Sequence, residues 1–63
     1  DELVEEFYLG LMRCYRALGR PAEGIAVFRR LRQTLSVVLG VAPSRGAETL
    51  LQSLREVGVA PPS

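Results

Sequence analysis

Few side chains in this 63-residue sequence could do chemistry. Cys14 is the one soft nucleophile, and there is no histidine. A thiol attacks as a thiolate, which needs a nearby base or a positive environment to form at neutral pH. Without an imidazole to serve as that base, Cys14 reads as a small buried hydrophobe at the edge of an apolar helix arc. The same two absences remove the usual zinc ligand sets and any disulfide. The carboxylates offer no acid–base pair. Glu5 and Glu6 are adjacent and therefore diverge on a helix, while Glu23, Glu48 and Glu56 stand alone. The sequence reads as non-enzymatic, with no metal and no cofactor.

Two constellations remain. Gly19 and Gly24 stand five apart, like the first glycines of a phosphate-cradling loop. That loop requires G-x-x-x-x-G-K-[ST] after a strand, so that backbone amides and a lysine meet the phosphates. Here Ile25 and Ala26 follow Gly24, and Pro21 removes one amide from the supposed cradle. The stretch therefore reads as a corner between helices.

The arginines are the second constellation. All eight basic residues are Arg, and six of them fall between Arg13 and Arg32. An arginine-rich helical unit that binds nucleic acid is the alternative functional reading. The net charge of +1 argues against it. So does the placement: Arg29 and Arg32 flank one edge of their helix and Arg30 lies toward the other. Arg13, Arg16 and Arg20 share a face with Glu2 and Glu6. Solvated helix surface is the simpler reading.

These residues must be positioned by helices, because no strand pattern competes. Leu3, Val4, Phe7, Tyr8, Leu11, Met12, Tyr15 and Leu18 follow the i, i+3, i+4, i+7 spacing of a first helix over 3–18. They cover roughly half its circumference, more than the ~100° stripe of an ordinary surface helix. That width suits packing between two neighbours. The acids sit at its start and Arg13, Arg16 and Arg20 at its end, which complements the helix dipole. Gly10, in its middle, costs about 1 kcal/mol relative to Ala with no evident return.

Gly19 occupies the left-handed position just past this helix. Pro21 suits the first turn of the next helix. Arg20 makes a poor N-cap there, for which Glu23 in the first turn compensates. The second helix is expected over 21–39, with Ile25, Phe28, Leu31, Leu35, Val38 and Leu39 on its apolar face. Gly24 on that face should let another backbone approach closely. Gly40 ends the helix. Ala42 before Pro43 leaves the helical region, and Ser44 caps a short third helix carrying Ala47, Leu50, Leu51, Leu54 and Val57. Gly58 should stop it before a frayed tail.

The expected architecture is all-α: an antiparallel helical hairpin plus a short third capping helix. A single unit spans 1–57 and a tail spans 58–63. A domain of this size buries only about 60% of its unfolded surface, so it leans on a neighbour for stability. Asp1 in place of Met reads as the start of a piece of a longer protein. The lone cysteine and the lack of a signal-like N-terminus point to the cytoplasm. No apolar run approaches the ~20 residues of a membrane span.

The hairpin resembles a tetratricopeptide repeat. Tyr8 stands at its first aromatic position, Leu11 at its Leu and Tyr15 at its Tyr. Gly19 stands at the turn glycine, Gly24 at the small position and Phe28 at the later aromatic. Leu31 and Ser36 depart from it. A closer resemblance covers nearly the whole chain. Leu18-Gly19-Arg20, Ala22-Glu23, Phe28, Arg30-Leu31-Arg32, Leu39-Gly40-Val41 and Pro43-Ser44 are similar to the C-terminal part of the bacterial transcriptional activator domain. This is a TPR-like module of antibiotic-pathway and ATP-dependent bacterial activators. Gly24, Ala42 and Arg45 depart, where that family favours Ala, Glu and Pro.

The resemblance implies a non-catalytic module of a bacterial transcriptional regulator that mediates self-association or protein contact. It implies that DNA is reached only through another domain. It also implies that further helices precede this segment in the family's longer domain. The expected interaction surface is Leu3, Phe7 and Tyr15 on the wide arc of the first helix, with Leu9 on its opposite face. It would meet neighbouring helices of the same protein or a second copy, giving a homo-oligomer such as a dimer.

Overall fold

The computed structural model describes residues 2–58. Helix α1 spans Glu2–Ala17 and α2 spans Pro21–Thr34. The second helix continues without a break into a π-helical turn, Leu35–Leu39, and α3 spans Arg45–Gly58. There is no strand among the described residues, so the chain is all-α as its periodicity requires. The expected tail, apart from Gly58, lies outside the described residues.

Gly19 ends α1 with φ +73°. Its N–H donates to the Arg16 carbonyl at 3.1 Å, and the Arg20 N–H donates to the Tyr15 carbonyl at 2.8 Å. These are the paired 5→2 and 6→1 bonds of a Schellman cap. Pro21 then opens α2 at its first turn. Arg20 precedes it without a side-chain cap bond. Its guanidinium pairs instead with the Glu23 carboxylate one turn on.

The end of α2 departs from the regular helix expected over 21–39. From Leu35 onward the turn widens, and the closing bonds reach back one residue further than at Gly19. The Gly40 N–H meets the Ser36 carbonyl and the Val41 N–H meets the Leu35 carbonyl, both at 3.2 Å. An extra residue in one turn slips the phase of everything after it. Leu35 therefore stays buried while Val38 and Leu39, expected on the apolar face, are exposed.

Ser44 caps α3, its Oγ accepting from the Ala47 N–H at 3.3 Å. At 14 residues α3 is as long as α2 and runs between the expected Ser44 cap and Gly58. Each of the three helices contacts the other two. They enclose one core: Leu9 and Met12 from α1, Phe28, Leu31 and Leu35 from α2 and its turn, and Ala47, Leu51 and Leu54 from α3. Val57, expected with them, is exposed.

Gly24 is buried in this core, but its neighbour differs from the backbone expected. A Cβ placed there would lie 2.9 Å from Leu54 Cδ2 and 3.0 Å from Cδ1. The missing side chain admits the tip of an α3 leucine, not the backbone of another helix. Gly10 has nothing within 4 Å of such a Cβ, so packing gives no reason for a glycine there.

Candidate interaction surface

Because α2 and α3 both lie on one side of α1, the wide apolar arc of α1 is divided. At about 100° per residue, Leu9 and Met12 point roughly away from Leu3, Phe7, Cys14 and Leu18, which fall within roughly 60° of one another. The first pair enters the core. Leu9 is 6% exposed and Met12 is fully buried. This corrects the placement of Leu9 on the contact surface. The sequence pattern counts Leu9 outside the arc because Glu6, Arg13 and Arg16 surround it on the wheel. Tyr8 packs against the core from a half-buried position, and Leu11 and Tyr15 are also half-buried.

The outer half of the arc faces solvent. Leu3 is 79% exposed, Phe7 65% and Leu18 66%. Cys14 sits between Phe7 and Leu18 on this face and is exposed too, so the expectation of a buried thiol is corrected. Gly10 adds bare backbone to the same stripe. The Phe7 ring is braced edge-on by Tyr8, with centroids 5.9 Å apart at 78°. That geometry favours the positive ring edge over the neighbouring π face. Leu3, Phe7 and Leu18 thus form an exposed row of large apolar side chains along about four helical turns, a kind of patch that monomers rarely leave open. The expected residues Leu3 and Phe7 lie on it, Tyr15 lies at its margin and Leu9 does not belong to it.

At the glycine corner most backbone amides are taken up within the chain. The amides of Gly19 and Arg20 close α1, the Gly24 amide bonds the Arg20 carbonyl, and Pro21 has none. The remaining expected hairpin residues are structural. Phe28 is 3% exposed and Pro21 half-buried.

One polar contact was not legible in the sequence. The Glu5 carboxylate of α1 accepts from the Ser44 N–H at 2.9 Å, across 39 residues. In a capping box a Glu at the third helical position does this for the N-cap residue. That position in α3 is Ala47, and Glu5 takes over its role from another helix. Bonds from the Ser44 hydroxyl and the Ser44 amide hold the Glu5 carboxyl below the ordinary carboxylate range. Among the described residues no group of three or more His, Cys, Asp or Glu could hold a metal ion. No helix among them is long and apolar enough to cross a membrane.

The sequence matches the family model described as "bacterial transcriptional activator domain" over residues 1–55. No curated protein and no solved structure matches it.

Proposed function

The chain belongs to the bacterial transcriptional activator domain family, and from that premise we propose that it is a non-catalytic protein-interaction module of a bacterial transcriptional regulator. It works in the cytoplasm by burying the outer face of α1 against neighbouring helices of the same protein or a second copy. DNA is contacted by another domain. The observation that carries this reading is the exposed row of Leu3, Phe7 and Leu18 on the side of α1 away from the core. Burying apolar surface stabilises by about 25 cal/mol per Å². Several such side chains can therefore hold a contact without any hydrogen bond. Repeat-like helical units need neighbours for this reason.

Sedimentation velocity at micromolar concentration, with a hydrophobic dye, tests the reading. The chain should self-associate or bind the dye, and Phe7→Glu should abolish either behaviour while leaving the helical circular dichroism unchanged. A compact monomer that binds no dye sinks the proposal.

A further inference from the structure

The arginines, set aside as solvated surface when each helix is read alone, are brought together by the packing of α2 on α3. Ile25, Phe28, Arg29 and Arg32 follow i, i+3, i+4, i+7 spacing and share one face of α2. Glu48, Leu51 and Arg55 share one face of α3. Together they line a cleft of about 300 Å³ between the two helices. Ile25, Phe28 and Leu51 form its apolar base, and three guanidiniums and one carboxylate form its polar rim. Three positive charges less one negative leave +2 in a single cleft of a chain whose net charge is only +1.

The one ion pair among the described residues is Arg20–Glu23. Arg29, Arg32, Arg55 and Glu48 take part in none. Arg29, Arg32 and Arg55 thus bring three positive charges to the cleft against the single carboxylate of Glu48. Each guanidinium presents a planar fork that matches the oxygens of a carboxylate or a phosphate.

We propose that the α2–α3 cleft binds a compact anion carrying two or more negative charges, of phosphate or carboxylate type, held by Arg29, Arg32 and Arg55. The ligand chemistry follows from the charge: a divalent anion cancels the +2. The apolar base favours an organic body on that anion, and Glu48 accepts from a hydroxyl or amine on it. The size sits at the low end of the range typical of small-molecule pockets. This site lies away from the outer face of α1, so it stands or falls separately from the contact function proposed above.

The test uses the whole chain, with inorganic pyrophosphate and citrate as separate probes at constant ionic strength in chloride. Thermal melts and isothermal calorimetry are the readouts. At least one probe should raise Tm above the chloride control. Arg32→Gln should weaken its binding about tenfold, the scale of one lost charge-assisted bond. Arg29→Gln with Arg55→Gln should remove it. These variants should not lower Tm in chloride, since each replaces an exposed arginine that makes no ion pair within the chain. Arg30→Gln is the control, with the same charge change on a residue outside the cleft, and it should bind as the parent does. Pyrophosphate alone, citrate alone or both with this arginine dependence supports the site and identifies the head-group chemistry. No shift with either probe, or an equal loss in Arg30→Gln, overturns it.

Discussion

Gly24 and Leu54 allow a sharp test of the packing. Replacing glycine by alanine inside a helix ordinarily stabilises by about 1 kcal/mol through helix propensity. Here the added methyl would lie 2.9 and 3.0 Å from the two Cδ atoms of Leu54. Leu54 is fully buried, so its tip cannot swing into solvent. Overpacking of this kind costs about 1–3 kcal/mol. The clash should exceed the propensity gain, and Gly24→Ala should destabilise by up to about 2 kcal/mol.

Leu54→Val removes both offending carbons and by itself costs about 1 kcal/mol for the lost methylene. In that background Gly24→Ala should change sign and stabilise by about 1 kcal/mol. The coupling energy is then about 1–3 kcal/mol, well above the few tenths expected of independent sites. A domain of 63 residues has roughly 3–9 kcal/mol of stability, so both single variants and the double variant should still fold. Urea unfolding followed by circular dichroism at each corner of the cycle measures it. If Gly24→Ala stabilises the parent chain and the two changes add, the Gly24–Leu54 contact is wrong.

Two other glycines should respond to the same substitution with opposite signs. Gly10→Ala should stabilise by about 0.5–1 kcal/mol, since it sits in a helix interior with open space around its Cα. Gly19→Ala should destabilise by about 1 kcal/mol or more, since φ +73° penalises any Cβ even in open space. Thermal melts of the two variants check both. The Glu5–Ser44 contact makes a pH prediction. The Glu5 pKa is lowered on folding, so its contribution is fully present above the unfolded value and is lost as pH falls through the folded one. Stability should therefore drop on acidification below about pH 4.5, and Glu5→Gln should flatten that part of the curve. The bond is exposed, so the difference at neutral pH should be about 1 kcal/mol or less. An unchanged acid limb in Glu5→Gln would remove Glu5 from the α3 cap.

The three helices and the corners between them could be read from the sequence because those are local matters, whereas the π-helical turn over Leu35–Leu39 could not. Periodicity marks each apolar face. Gly19 can take a left-handed φ, Pro21 fits a first turn, and Ser44 reaches its own helix three residues on. Each of these needs only neighbouring residues to be satisfied, so each can be read without knowing where the rest of the chain lies. The family line could be read for the same reason, since its matched residues cluster at those corners.

Which half of α1 faces inward follows only from the packing of the helices. Apolar residues cover half of that helix, and only the position of α2 and α3 on one side selects Leu9 and Met12 for the core and leaves Leu3, Phe7, Cys14 and Leu18 outside. The packing also lets Gly24 accommodate Leu54 and Glu5 complete a cap 39 residues away. The same packing gathers Arg29, Arg32 and Arg55 around one cleft. All of these join residues far apart in sequence. The angle and register at which two helices meet depend on how the whole set of side chains packs, and no single helix encodes that.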